Sequence, residues 1–159
     1  SNMNPWQVEL VQAALDEQLV ANQLQFGIMH TGMIDADLHV NMTDAAATNR
    51  DGGILAYSRL KHMTIQAWSP FQYGVFQGPF IDNPEFAAVN AKLQDLADKY
   101  GVTKNTITVA FITKHPANMQ VVIGSMTVDR AAEMMAIDGF ELTNQEWYDI
   151  YLAAGNLLP

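Results

Sequence analysis

Thr64-Ile65-Gln66-Ala67-Trp68, which ends at Ser69-Pro70, is a short apolar run that predicts a β-strand. Two more runs, over residues 19–26 and residues 119–123, predict two further strands. Helical patterns separate the three runs, and strands connected through helices pair in parallel by right-handed crossovers. The sequence therefore predicts an α/β fold with about three parallel strands and five to six helices, built as a single domain over residues 1–159.

Six segments carry helical patterns, and one long segment carries none. The helical segments lie near residues 5–18, after Asp51, over residues 84–100, over residues 104–114, after Thr127 and after Thr143. Gly101 is expected to end the third helix as a C-cap, and Thr143 with Glu146 has the spacing of a capping box. Residues 27–50 are polar and aperiodic, which predicts a long loop whose Asp35 and Asp37 are solvated.

The number of strands leaves the predicted sheet open. A closed (β/α)8 barrel typically needs about 250 residues, and this chain has 159. The backbone groups along the two edges of a three-stranded parallel sheet lack partners. These edges must be covered by helices, disordered or paired with another chain, and we expect pairing in a homo-oligomer.

Composition and charge narrow the classes of function. The net charge is −9 and the eight Lys and Arg residues are scattered, whereas a nucleic-acid-binding protein normally has a basic face. No stretch has the apolar length of a membrane span and no secretory signal opens the chain, so we expect a cytoplasmic protein that binds neither nucleic acid nor membrane. There is no cysteine, and the four histidines lack metal-ligand spacing, so we expect no disulfide and no metal site.

Three strand-end segments and a closing helix follow one another in a particular order. They are Ala21-Asn22-Gln23-Leu24-Gln25-Phe26, Ile65-Gln66-Ala67-Trp68-Ser69-Pro70-Phe71, Val121-Val122-Ile123-Gly124-Ser125-Met126-Thr127 with Arg130, and Leu142-Thr143-Asn144-Gln145-Glu146-Trp147. This ordered set resembles the last three barrel strands and the terminal helix of the aldo-keto reductases, particularly the bacterial ones. The resemblance covers nearly the whole chain and implies the C-terminal half of a (β/α)8 barrel, that is, a partial TIM barrel.

The resemblance implies a bound NADPH at the C-terminal ends of the strands. Gln23, with Asn22 beside it, would hold the carboxamide of the nicotinamide, since an amide offers both a donor and an acceptor. Trp68 would stack on the nicotinamide ring. Ser69 and Phe71 would face the pyrophosphate. Without the resemblance, the Gln would be an ordinary polar strand residue and the Trp a core residue.

The resemblance assigns the 2′-phosphate of the cofactor to Ser125 and Arg130. A loop that enters a helix presents free N–H groups, and a guanidinium pairs with phosphate through two bonds. The alternative is a capping Ser and a surface Arg paired with Glu133 or Asp129. Many family members have a Lys where this chain has Gly124, which leaves the preference between NADP and NAD open.

Ser1 and Asn2 have two interpretations. Ser-Asn is a common protease-cleavage scar ahead of a cloned Met, here Met3. Family members also end their fifth strand with Ser-Asn before a helix that begins at Pro, here Pro5. In that case Ser1 and Asn2 would bind the nicotinamide carboxamide.

The resemblance places the catalytic Tyr, Lys, Asp and His of the family in the first half of the barrel, before this chain begins. The five tyrosines lie at other places: Tyr57, Tyr73, Tyr100, Tyr148 and Tyr151. We therefore expect no catalytic residue and negligible carbonyl reductase activity in this chain alone. The intact family would act on a small carbonyl substrate. The alternative is a fragment that binds nucleotide without chemistry, or one that only self-assembles.

Overall fold

The computed structural model describes residues 1–75 and 77–159 and contains one three-stranded sheet. Its strands are β1 (Ala21–Gln25), β2 (Thr64–Trp68) and β3 (Met119–Val121). All pairings are parallel and the order is β1-β2-β3. The predicted α/β sheet of three parallel strands is confirmed, although the two outer strands are shorter than their apolar runs.

Seven α-helices are present within the described residues, whereas five to six were expected. They are α1 (Pro5–Gln12), α2 (Gly32–Leu38), α3 (Ile54–Leu60), α4 (Ala87–Tyr100), α5 (Lys104–Lys114), α6 (Val128–Met135) and α7 (Asn144–Ala153), and short 3-10 turns lie at Ala45–Ala47 and Pro84–Phe86. The prediction of an uninterrupted loop over residues 27–50 was wrong, because α2 lies inside it. Burial of Met33 and Ile34 in the core stabilises this helix, which has little helical propensity of its own.

Side-chain caps set several helix boundaries. The predicted capping box of α7 is confirmed: Thr143 Oγ1 accepts from the Glu146 N–H at 3.2 Å, and Glu146 Oε2 accepts from the Thr143 N–H at 2.7 Å. Gly101, at φ 66°, ends α4 as predicted. The first helix ends earlier than predicted, since the Gln12 side chain accepts from the Leu19 N–H and donates to the Glu17 carbonyl, which reverses the chain.

In the described chain, the helices pack against one face of the sheet. Ile65 and Ala67 are fully buried on that face, and a row of stacked rings made by Phe26, Phe111 and Trp147 lies beyond it. Successive side chains of a strand alternate between the two faces. The residues between the buried positions therefore form a second, open face, which would line the lumen if the barrel were closed.

In the part of the chain that the structure describes, no helix has both the length and the apolar character needed to cross a bilayer.

Candidate functional site

A row of glutamines crosses the open face of the sheet. Gln23 on β1 lies opposite Gln66 on β2, which lies opposite Gln120 on β3. Gln23 Nε2 donates to Gln66 Oε1 at 2.9 Å, and Gln66 Nε2 donates to Gln120 Oε1 at 3.1 Å. The row thus presents a polar surface in place of a second hydrophobic layer.

Trp68 lies on the same face, one pleat closer to the C-terminal end of β2. Its Nε1 donates to Asn2 Oδ1 at 2.9 Å, and the Asn2 N–H donates to the Gln23 carbonyl at 2.8 Å. Trp68 is half-buried and lies outside the hydrophobic core, so the core interpretation of this residue does not hold. The structure therefore brings Asn2, Gln23 and Trp68 together in one cluster, which we call the amide–indole cluster.

Asn22 and Ser1 contribute to this region in different ways. Asn22 is buried on the helix-covered face, and its Nδ2 donates to the Met3 carbonyl at 2.8 Å. Its side chain therefore points away from the open face, and it anchors the segment that carries Asn2. Ser1 is exposed at the end of that segment.

The loop after β2 turns sharply beside the end of β1. Ser69 has a left-handed backbone conformation with φ 52°, and its hydroxyl lies 3.3 Å from the side-chain amide of Gln72. The Phe71 carbonyl accepts from the Phe80 N–H at 3.0 Å, which closes the base of the loop. Gly27, after β1, approaches Pro70 so closely that a Cβ there would lie 2.6 Å from the Pro70 carbonyl oxygen.

The loop after β3 carries Ser125 and leads into α6. Ser125 Oγ accepts from the Thr127 N–H at 3.3 Å, so this hydroxyl does stabilise the turn as a capping group would. Arg130 is exposed and forms no ion pair within the described residues. The carboxylate of Glu133, its expected partner, accepts from Thr103 and Asn105, and the charge of Arg130 contributes to lowering the Glu133 pKa after these two hydrogen bonds. Because the strands are parallel, this loop lies at the same end of the sheet as the amide–indole cluster.

Three of the five tyrosine hydroxyls donate hydrogen bonds to carboxylates. Tyr57 donates to Glu9, Tyr100 to Glu146 and Tyr151 to Asp35, at 2.7, 2.8 and 2.7 Å. Burial, followed by the carboxylate partner, raises the pKa of each of these tyrosines. The other two rings pack on aromatic neighbours: Tyr73 on Phe86 and Tyr148 on Trp147. None of the five belongs to a strand or to the amide–indole cluster.

The glutamine row is the feature that sequence reasoning missed. The pattern that could have revealed it is the placement of Gln66 two residues before Trp68, together with Gln120 inside the third strand. Among residues 1–75 and 77–159, no group of three His, Cys, Asp or Glu side chains is arranged to hold a metal ion.

Comparison of the sequence with known proteins gives one family. The profile of the aldo/keto reductase family matches residues 1–152. The chain is 29% identical over 157 residues to the 6-dehydroglucose reductase of Agrobacterium fabrum, a match covering 97% of this chain and 45% of that protein. It is also 29% identical over 110 residues to the 6-dehydroglucose reductase of Novosphingobium aromaticivorans, covering 69% of this chain and 36% of that protein. The chain therefore spans less than half the length of these relatives.

Solved structures share the fold. An aldo-keto reductase of Bombyx mori in complex with NADP aligns with a TM-score of 0.63 at 19% identity, covering 96% of this chain and 42% of that one. A thermostable aldo-keto reductase in complex with the inhibitor epalrestat aligns with a TM-score of 0.65 at 18% identity, covering 96% and 46%. The partial-barrel architecture is thereby confirmed.

Proposed function

Because the chain belongs to the aldo/keto reductase family, we propose that the open face of its sheet binds NADPH and that the chain alone does not reduce carbonyl compounds. The observation that carries the proposal is the amide–indole cluster of Asn2, Gln23 and Trp68. The Trp68 indole bonds to the side-chain amide of Asn2, and the backbone of Asn2 bonds to Gln23, whose own side-chain amide lies on the same open face of the sheet. These are groups suited to a planar nicotinamide ring and its carboxamide.

Each of the two side-chain amides in the cluster uses one polar atom, and the two atoms that remain are one acceptor and one donor. Gln23 uses its Nε2 on Gln66, and Asn2 uses its Oδ1 on Trp68. Within the described residues, Gln23 Oε1 and Asn2 Nδ2 have no hydrogen-bond partner. A carboxamide offers one NH₂ group and one carbonyl, so it can donate to Gln23 Oε1 and accept from Asn2 Nδ2 at once.

Trp68 supplies the apolar surface for the ring. Its bond to Asn2 limits rotation of the indole, and a fixed aromatic face loses less conformational entropy when a second ring stacks on it. The structures solved with NADP, such as the Bombyx mori protein, support the choice of cofactor.

The loops after β2 and β3 would hold the phosphates. We assign Ser69 and Phe71 to the pyrophosphate, and Ser125 with Arg130 to the 2′-phosphate. Arg130 forms no ion pair in the described part of the chain, so its guanidinium remains free to bind phosphate at the start of α6. Residue 124 is a Gly and not a Lys, so it adds no cation beside Ser125. We therefore expect only a modest preference for NADPH over NADH.

Reduction of a carbonyl requires a general acid, and none of the five tyrosines is part of the amide–indole cluster in the described chain. Hydride transfer to a carbonyl produces an alkoxide, and a general acid typically accelerates such a step by about 10²–10⁴-fold. The hydroxyls of Tyr57, Tyr100 and Tyr151 are held by carboxylates elsewhere. The similar proteins named 6-dehydroglucose reductase support a small carbonyl compound as the substrate of a complete protein of this kind.

The test combines calorimetric titration of NADPH with an assay of NADPH oxidation in the presence of a reactive aldehyde. We expect saturable binding by the wild-type chain, weaker binding by Gln23→Ala, and no turnover above background. Turnover at rates typical of complete enzymes would contradict the proposed inactivity. An absence of heat at millimolar cofactor at two well-separated temperatures would contradict binding and favour the self-assembling fragment.

Self-assembly has its own support in the structure. The outer edges of β1 and β3 have no strand partner in the described chain. Trp6 and Leu10, one helical turn apart on α1, are 80% and 75% exposed. We propose that these features pair with a second copy. Light scattering should show an assembly that Leu10→Glu dissociates and Met126→Glu, at a 98% exposed loop position, does not; a monomer at all concentrations would contradict this.

A further inference from the structure

A cavity of about 390 Å³ lies on the helix-covered side of the molecule, apart from the amide–indole cluster. Its walls come from α2, α3 and α7 and from the end of α5, and none of its lining residues belongs to a strand. Its size is at the lower end of the range for small-molecule sites, roughly 300–1,000 Å³. Nothing in the proposed cofactor site uses it.

The walls of this cavity are largely apolar and aromatic. Ile34, Leu55 and Trp147 are each more than nine-tenths buried and line it. The Trp147 Nε1 donates to the Phe111 carbonyl at 2.9 Å, and its ring stacks on the Phe111 ring at 4.7 Å. The indole is therefore held in place, and a flat apolar body could pack against the part that the cavity exposes.

The polar part of the lining contains two cations, and in the described chain one of them, Arg59, is not in an ion pair. The other, Lys114, is paired with Glu141 at 2.5 Å. Asp37 is the carboxylate of the lining. Burial, then the nearby Asp51, raises its pKa, while the charge of Arg59 opposes that shift.

His115 adds a neutral donor to the same lining. Burial, and then the charge of Arg59, lowers its pKa to about 4, so the ring is uncharged at pH 7. Its Nδ1 accepts from the Ala117 N–H at 3.1 Å, which leaves the proton on Nε2. Asn144, at the start of α7, adds a side-chain amide.

We infer that this cavity binds a small aromatic monocarboxylate, with the ring against Trp147 and the carboxylate paired with Arg59. One unpaired guanidinium matches one carboxylate, which it can bind through two parallel bonds. The apolar walls suit a ring and disfavour a sugar or a nucleotide. Asp37 repels anions in proportion to their charge, which favours a monocarboxylate over a ligand with two negative charges.

Benzoate is the probe, and benzamide is its neutral counterpart. Titration of the full chain, followed by amide chemical shifts in NMR, should show saturable millimolar benzoate binding with shifts at α3 and α7. Benzamide should bind at least about tenfold more weakly, because a charge-assisted bond to Arg59 is lost. Arg59→Met should weaken benzoate binding to a similar degree, and Arg59→Lys should restore part of it.

Arg50→Met is the matched control, since it removes the same charge from an exposed position outside the cavity lining. It should leave benzoate binding unchanged, and NADPH should not compete with benzoate. Three results would each overturn the inference. The first is that benzamide binds as tightly as benzoate, and the second is that Arg50→Met and Arg59→Met lose the same benzoate affinity. The third is that Trp68→Ala loses benzoate affinity while Arg59→Met does not. The absence of any saturable shift would overturn it as well. Failure of NADPH to bind would leave these results unaffected, because the two sites share no residue.

Discussion

The indole Nε1 of Trp68 donates a 2.9 Å hydrogen bond to Oδ1 of Asn2, although the two residues lie 66 positions apart in the chain. The Asn2 N–H also donates to the Gln23 carbonyl, so one residue connects the middle of β1 with the end of β2. The orientation of the indole thus depends on a segment that precedes the first helix. The proposed nicotinamide site is therefore built from three separate parts of the sequence.

Replacing Asn2 with Ala should weaken NADPH binding by about tenfold, since one bond to the carboxamide and the bond that holds Trp68 are both lost. Calorimetric titration measures this change. Gln120→Ala is the control, because Gln120 belongs to the same glutamine row but, among the described residues, hydrogen-bonds through its side chain to Gln66 and not to Asn2 or Gln23. Equal loss of affinity in the two variants would mean that the open face acts only as a general polar surface.

Gly27→Ala should destabilise the fold by about 1–3 kcal/mol through overpacking. The added Cβ would lie 2.6 Å from the Pro70 carbonyl oxygen, a backbone atom that can move away only if the loop shifts. Urea unfolding followed by circular dichroism gives the change. Gly32→Ala is the matched control, because a Cβ there meets nothing within 4 Å, and it should be neutral or stabilising. Similar midpoints for both variants would refute the close approach.

Glu146 should make the protein sensitive to acid. Burial raises its pKa, but hydrogen bonds from Lys99, the Thr143 backbone and Tyr100 outweigh burial and lower the pKa from 4.5 to about 2. A lowered pKa stabilises the folded state above the unfolded-state pKa, and this stabilisation is lost as the pH falls from about 4.5 to about 2.

Glu146→Gln keeps the capping geometry and removes the charge. It should lower the free energy of unfolding at pH 7 by about 1–2 kcal/mol and flatten its pH dependence in that acid range. Urea unfolding at a series of pH values tests this. An unchanged pH profile would show that the carboxylate contributes no net charge stabilisation.

Tyr151→Phe should destabilise the protein by about 1–2 kcal/mol, because the half-buried Asp35 Oδ1 loses a 2.7 Å hydrogen bond from the tyrosine hydroxyl. Tyr148→Phe is the control, since Tyr148 is exposed and its hydroxyl has no hydrogen-bond partner within the described residues. Thermal unfolding should separate the two variants clearly. Equal melting temperatures would argue against the role given to Asp35.

Local sequence patterns were sufficient for much of the fold. The capping box of Thr143 and Glu146 and the C-cap at Gly101 depend on residues within one turn, so they could be predicted directly. The three strands could be located because a short apolar run between two helical segments of an α/β protein is usually a buried strand. The resemblance to a family assigned Gln23 and Trp68 to one cofactor site, which stays a prediction, and in the structure Asn2 bonds to both residues.

Long-range contacts account for what the sequence did not reveal. Asp35 was expected to be solvated, but it accepts hydrogen bonds from Tyr151 and Thr31, and the first of these spans 116 positions. Helix α2 forms because such contacts and the burial of Ile34 outweigh a Gly and two Asp in seven residues. Asn22 was assigned to the cofactor with Gln23, yet neighbouring strand residues face opposite sides, and its amide holds the Met3 carbonyl.

The most direct test of the central claim is a titration of NADPH against tryptophan fluorescence, in the wild-type chain and in Trp68→Phe, Trp68→Ala and Trp6→Phe. We predict saturable quenching in the wild type and in Trp6→Phe, and loss of that quenching in both Trp68 variants. Calorimetry should show that Trp68→Phe keeps most of the affinity, because a ring remains, while Trp68→Ala does not. Quenching that persists without Trp68, or no quenching at millimolar NADPH, would contradict a nicotinamide site at this end of the sheet.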